Sequence, residues 1–192
     1  SDTMLRHARD AAERYLREFS LGADSRVIEV ASNDGYLLQN FQRAGVPCLG
    51  VEPAANIARV AREKGIETWT EFFGLTLAQR LVAERGRADL LLGNNVFAHA
   101  PDTNDFVAGL KALLKPGGRV VLEFPHGLEL LEKVEFDTIY HEHVFYYTLT
   151  ALRPLFARHG LEIFHVEPLA IHGGSLRVFA GHTGAHAMAD SV

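Results

Sequence analysis

The sequence holds a single cysteine, Cys48, among 192 residues. One cysteine can form neither an internal disulfide nor a cysteine-rich zinc site, and such scarcity suits a reducing, cytoplasmic setting. Cationic residues are also few. Nineteen Lys and Arg stand against 24 Asp and Glu, a net charge of −5, and this balance argues against nucleic acid as a partner, because phosphate binding needs basic excess. No apolar run reaches 18 residues, so no membrane span is expected, and the charged amphipathic N-terminus does not read as a signal peptide. Glycine and proline, 17 and 7 in number, stay near ordinary usage, which excludes collagen-like and low-complexity chains. Histidine, by contrast, is plentiful: there are ten, and histidine is the usual proton shuttle and metal ligand near neutral pH.

At about 150 residues per domain, residues 1–192 are expected to form a single domain. A leading helix occupies 1–22 and a soft tail 182–192. The missing initial methionine and the tail without a closing element lead us to expect a middle portion of a longer protein. Helical and strand patterns alternate along it. Leu5, Ala8, Ala12, Tyr15, Leu16 and Phe19 have helical spacing. Short β-branched runs over 26–31, 48–52, 66–69, 89–93 and 119–124 read as strands, with helices over 36–44, 54–64, 75–84 and 106–114 between them. Such alternation implies right-handed crossovers and a parallel sheet. After Pro125 a helix over 148–159 leads into strands over 161–166 and 175–180. Their short His172-Gly-Gly174 connection implies antiparallel pairing.

The first strand ends in Val27-Ile-Glu-Val-Ala-Ser-Asn-Asp-Gly-Tyr36, a strand, a tight turn and a helix. Ligands of open α/β sheets sit outside the carboxyl ends of the strands. Glu52 ends the next strand, where an acid can take both hydroxyls of a ribose. The turn presents Ala31, Asn33 and Gly35, so it lacks two of the three glycines that seat a pyrophosphate; a nucleoside without a pyrophosphate fits better than NAD(P). This pattern, with Lys115-Pro-Gly-Gly118 before the fifth strand, resembles the class I S-adenosylmethionine methyltransferases. The resemblance implies a Rossmann-like, mostly parallel seven-stranded sheet with a terminal antiparallel strand and helices on both faces. It implies S-adenosylmethionine as cofactor, S-adenosylhomocysteine as product, Glu29, Ala31, Asn33 and Gly35 at the methionine end, and Glu52 on the ribose. Phe72 and Phe73 fall where that family packs adenine, or are plain core.

A second cluster lies in Phe136-Asp-Thr-Ile-Tyr-His-Glu-His-Val-Phe-Tyr-Tyr147. Tyr140, Glu142 and His143 bring three proton-handling groups within four residues, as proton abstraction and enolate stabilisation require; a structural hydrogen-bond network is the bland alternative. Asn94-Asn-Val-Phe-Ala-His-Ala-Pro-Asp102, which contains His99, and His172-Gly-Gly-Ser-Leu-Arg177 are of similar kind. His7, His126, His159, His165, His182 and His186 read as ordinary surface or core residues. His141 and His143 alternate and would share one face of a strand, yet no matched third and fourth ligand accompanies them, so no metal is expected.

Together these three strings resemble the sugar C-methyltransferases that act on nucleotide-linked 4-keto deoxysugars in antibiotic biosynthesis. That resemblance implies His143 as base, Glu142 to orient it or the sugar, Tyr140 and His99 on the enolate oxygen, Asn94 and Asn95 beside the cofactor, and His172 and Ser175 beside the substrate. It also implies an N-terminal zinc-binding domain and a C-terminal sugar-nucleotide domain, neither of which lies in this sequence. An O- or N-methyltransferase, and a non-catalytic S-adenosylmethionine-binding module, are the competing readings. No oligomeric state follows from the sequence.

Overall fold

In the computed structural model, which describes residues 2–192 apart from the side chain of His172, the β-branched runs become strands β1 (Val27–Val30), β2 (Cys48–Val51), β3 (Glu67–Trp69), β4 (Ala88–Asn94), β5 (Leu114–Pro125), β6 (Leu161–Leu169) and β7 (Ser175–His182). They form one sheet in the order β3-β2-β1-β4-β5-β7-β6. The first five are parallel; β7 runs antiparallel to both β5 and β6. The last strand of the chain is thus slotted between β5 and β6 rather than added at the edge. The helices are α1 (Asp2–Glu18), α2 (Leu38–Arg43), α3 (Ala55–Glu63), α4 (Leu75–Arg85), α5 (Thr103–Leu113), α6 (Gly127–Lys133) and α7 (Leu149–Arg158). None is long and apolar enough to cross a membrane.

Two cores sandwich the sheet. One gathers Leu77 and Leu81 of α4, Phe106 and Leu110 of α5 and Phe156 of α7 on alternate strand residues such as Ile28, Val30 and Leu122. The other gathers Ala8, Ala12 and Tyr15 of α1, Phe41 of α2 and Ala61 of α3 on Val27, Leu90, Val121 and Phe179. Alternation of side chains along each strand assigns successive residues to opposite cores.

The structure corrects several boundaries. Tyr36 and Leu37 belong to the turn, and helix α2 begins only at Leu38. Helix α5 starts at Thr103, three residues before the apolar run, because the Asp102 carboxylate caps it by accepting from the Asp105 amide at 2.9 Å. The Lys115–Gly118 stretch is the irregular start of β5, where the register slips between Ala88 and Leu90. Helix α6 had no counterpart in the sequence pattern. Residues 139–147 are irregular chain rather than a strand, so the alternation of His141 and His143 does not put them on one face.

Candidate active site

The turn after β1 is wound in the left-handed region three times in five residues: Ala31 at φ 55°, Asn33 at 54° and Gly35 at 76°. Such backbone costs about 1–3 kcal/mol per non-glycine residue and persists only where its surroundings hold it. Here they do. The Glu52 carboxylate accepts from the Asn33 amide at 3.0 Å and from the Ala54 amide at 2.9 Å, and the Ser32 amide donates to the Val51 carbonyl at 3.1 Å. At Gly35 a Cβ would crowd the Cδ1 atom of the buried Ile66, so a side chain there would force Ile66 to shift. Each Glu52 oxygen uses one lone pair on the loop and keeps another for a ligand.

Beside this turn, at the carboxyl ends of β1, β2 and β4, lies a cleft of about 380 Å³. Ala31, Glu52, Phe72, Phe73, Asn95 and His99 are among its walls. Phe73 rests edge-on against Phe106, with centroids 5.2 Å apart, whereas Phe72 is 85% exposed at the rim. A carboxylate with spare acceptor capacity at one end and aromatic walls around it suit a ribose joined to a flat base. A second cleft of about 460 Å³ adjoins the first and shares Asn95 and His99 with it; Tyr140, His143, Thr138, Glu135, Asp137 and Gly173 are among the residues that line the remainder.

The wall common to both clefts follows β4. Asn95 is left-handed at φ 53° and its amide donates to the Glu123 carbonyl at 2.7 Å. A 3-10 turn over Phe97–His99 comes next. The Ala98 carbonyl accepts from the amides of Val144 and Phe145, at 2.9 and 3.2 Å, and this fastens the irregular His143 segment beside His99. The two imidazoles meet edge to face, with centroids 5.0 Å apart. His143 Nδ1 lies 3.1 Å from the Thr138 carbonyl, and its Nε2 lies 2.9 Å from the Tyr140 hydroxyl. A carbonyl can only accept, so Nδ1 carries the proton and Tyr140 donates to the Nε2 lone pair. Burial pulls the His143 pKa below the ordinary histidine value; His99 lowers it further, while the Thr138 carbonyl and Glu142 oppose the shift.

Other expected site residues fall away from the cleft walls. Glu142 is exposed, with its carboxylate 3.9 Å from His141 rather than on His143. Asn94 is still paired within β4, opposite Glu123. Ser175 is buried in β7 and donates to the Ile171 carbonyl at 3.2 Å. Glu29 is buried beneath the turn with Oε2 unpartnered; burial, then Asp34, Glu52 and Glu123, raise its pKa well above the usual carboxylate range. The side chain of His172 lies outside the described residues.

The sequence reading passed over a buried polar network. Glu123 takes hydrogen bonds from His7 of α1, at 2.8 Å, and Arg177 of β7, at 2.7 Å. Glu167 takes them from Arg14 and Arg177, at 2.6 and 3.0 Å. Burial would raise the Glu123 carboxyl, but His7 and Arg177 hold it below the usual range. The available signal was a charged residue inside each apolar strand run, Glu123 and Arg177, since buried charges need partners. Glu135, Asp137 and Gly173 were likewise passed over.

Solved structures of the same shape include the magnesium protoporphyrin IX methyltransferase ChlM of Synechocystis PCC 6803 with bound SAH, at TM-score 0.72 and 16% identity over 94% of this chain and 84% of that one. An S-adenosylmethionine-dependent methyltransferase from Clostridium acetobutylicum aligns at TM-score 0.71 and 12% identity, over 93% of this chain and 92% of that one. Both show that the fold is the class I Rossmann-like methyltransferase fold. Among curated relatives, C-methyltransferase NovU of Streptomyces niveus is 37% identical over 95% of this chain and 44% of its own length. A ubiquinone biosynthesis O-methyltransferase of Bordetella avium is 29% identical over 50% of this chain and 40% of its own. The chain therefore spans less than half the length of these two relatives. A family model described as a methyltransferase domain matches residues 4–166, from α1 through most of β6, and the chain belongs to that family.

Proposed function

We propose that this chain is the cofactor-binding and proton-abstracting domain of an S-adenosylmethionine-dependent C-methyltransferase, acting at C3 of a nucleotide-linked 4-keto deoxysugar. The observation that carries the reading is the hydrogen-bonded series Thr138–His143–Tyr140 in a cleft that shares Asn95 and His99 with a nucleoside-sized cleft. The similarity to a C-methyltransferase along most of the chain supports it, as does the resemblance of the Tyr140–His143 string. Holding the nucleotide is assigned by the same resemblance to a domain beyond this chain, in a cytoplasmic protein.

S-adenosylmethionine, when bound, supplies an electrophilic methyl group on sulfur. The chain's own residues then have separate tasks. Glu52 and the Phe73 wall hold the nucleoside. His143, neutral because burial disfavours its charged form, stores the proton that leaves the carbon beside the keto group. That proton reaches Nε2 directly or through the Tyr140 hydroxyl, which gives its own proton to Nε2 as it takes the new one. The Thr138 carbonyl fixes the tautomer that leaves Nε2 basic. His99 and Asn95, at the junction of the clefts, are placed to donate to the enolate oxygen.

Two measurements test the reading. Glu52→Ala is expected to weaken S-adenosylhomocysteine binding by at least tenfold in calorimetry, because loop anchor and hydroxyl acceptor are lost together. In the complete protein, a nucleotide-linked 4-keto deoxyhexose in D2O should take up deuterium at the carbon beside the keto group without transfer, and should gain a carbon-bound methyl when S-adenosylmethionine is added. A methyl found on oxygen or nitrogen, with no deuterium uptake, overturns the assignment to carbon.

A further inference from the structure

Resting on the reading that the turn after β1 holds the cofactor, we infer that Lys64, at the end of α3, is a positioning residue for cofactor binding. It clamps the turn at Asp34, and it is not among the described residues that line either cleft.

The turn needs more than one hold. Ala31, Asn33 and Gly35 are all left-handed, a conformation that non-glycine residues keep only where their surroundings impose it. The contacts from β2 reach the first half of the turn: Glu52 takes the Asn33 amide, and the Val51 carbonyl takes the Ser32 amide. The second half, Asp34 and Gly35, is held from another direction, by three consecutive residues that join α3 to β3. Lys64 Nζ donates to the Asp34 carbonyl at 2.9 Å and to its carboxylate at 2.6 Å. The Gly65 carbonyl accepts from the Gln42 side-chain amide at 2.8 Å, which ties the same connection to α2. Ile66, fully buried, places its Cδ1 where a side chain on Gly35 would begin.

Of these three holds, Lys64 is the one that acts on the turn alone. Ile66 belongs to the core that packs under α1 and α2, so its loss would be felt through the whole fold. Lys64 and Asp34 are only partly covered, and an exposed ion pair adds little to global stability. Its effect on binding is of another kind. A turn released from its left-handed conformations binds in proportion to the fraction that still has the bound shape. The charge of Lys64 serves the same end. Asp34 stands close enough to Glu29 to act on its carboxyl, and without Lys64 it would be an unpaired acid in a turn already flanked by Glu29 and Glu52.

Calorimetry with S-adenosylhomocysteine on the complete protein tests the inference. Lys64→Met keeps the apolar stem and removes the donors. It should weaken binding about three- to tenfold, the range of one partly screened charged contact, and raise the KM for S-adenosylmethionine by the same factor. The urea-unfolding midpoint should stay nearly in place, and kcat at saturating cofactor should stay within about twofold. Lys64→Arg should recover most of the affinity, and Asp34→Asn, which keeps the carbonyl contact, should fall between Lys64→Met and wild type. Should Lys64→Met fail to fold, Asp34→Asn decides alone: undiminished affinity in it overturns the inference. Unchanged affinity in a folded Lys64→Met, a loss that Lys64→Arg shares in full, or a loss matched by an equal fall in kcat overturns it too, and each leaves the cofactor reading standing. A folded wild type that does not bind S-adenosylhomocysteine overturns both.

Discussion

The two clefts are built differently. The cleft proposed for the nucleoside rests on strand ends: β1, β2 and β4 are hydrogen-bonded along their lengths, and the strained turn over Ala31–Gly35 is pinned by Glu52. The cleft proposed for the acceptor is closed by one irregular segment fastened to the 3-10 turn after β4, through the Ala98 carbonyl and the stack of Tyr147 on Phe97, with centroids 4.6 Å apart. Phe97 is fully buried; Phe136, in the 3-10 turn just before the irregular segment, is 77% exposed, and Leu131, Val134 and Ile139 nearby are exposed with it. A scaffold that must hold one cofactor is set by backbone geometry, whereas a wall that meets a particular acceptor is set by side chains on adaptable chain.

The sharpest way to break this contrast is to remove the point where the halves meet. Phe97 packs on Phe106, Phe124, Tyr147 and Phe156. Phe97→Ala should cost about 3–5 kcal/mol of stability in urea unfolding, with both clefts damaged together. Next comes a change confined to the acceptor side. His143→Gln should reduce kcat about 100- to 1,000-fold and leave S-adenosylhomocysteine affinity within about twofold; a matching loss of affinity would show that the clefts are not separable.

The pH profile sharpens the same point. In the proposed mechanism the neutral imidazole is the active form, and burial shifts the His143 pKa downward. The profile of kcat/KM should therefore be level near neutrality and fall on acidification through a midpoint below the ordinary value of about 6.5. Tyr140→Phe removes a donor to the neutral form, so the midpoint should move up. A midpoint unmoved by that change would detach Tyr140 from the base.

How much was legible follows the same division. The β1 turn, Glu52 and the alternation of helix and strand were readable because each is local: a β-branched run, a glycine where φ is positive, an acid at a strand end. Even there Glu29 was expected to face the ligand, and strand alternation turns it instead with Val27 toward the α1 side. The Tyr140–His143 string was readable as chemistry but not as geometry. The tautomer depends on the Thr138 carbonyl, and the position of the ring depends on Ala98, some 45 residues earlier in the chain. Helix α6 carries no apolar stripe facing a core, with Leu128 and Leu131 exposed, so it left no helical signature to read. Gly173 and Glu135 meet only because β7 returns between β5 and β6. His7 was read as an ordinary residue, yet it shares a helix face with Ala11 and Tyr15 and ends on Glu123; a polar residue on an apolar stripe was the overlooked cue.

The smallest effect expected is also the most direct check on the adaptable wall. Phe136→Ser changes a large aromatic residue to a small polar one, the type of change that ruins a core. At 77% exposure the ring has little buried area to lose, and surface substitutions of this kind fall within about 0.5 kcal/mol. Urea unfolding should be nearly superimposable on wild type, S-adenosylhomocysteine binding unchanged, and retention on a hydrophobic matrix reduced, since one of the exposed apolar groups is gone. A loss several times larger would mean that the segment is packed by the same rules as the strands beneath it, and the difference between the two clefts would then lie in sequence alone and not in how their walls are held.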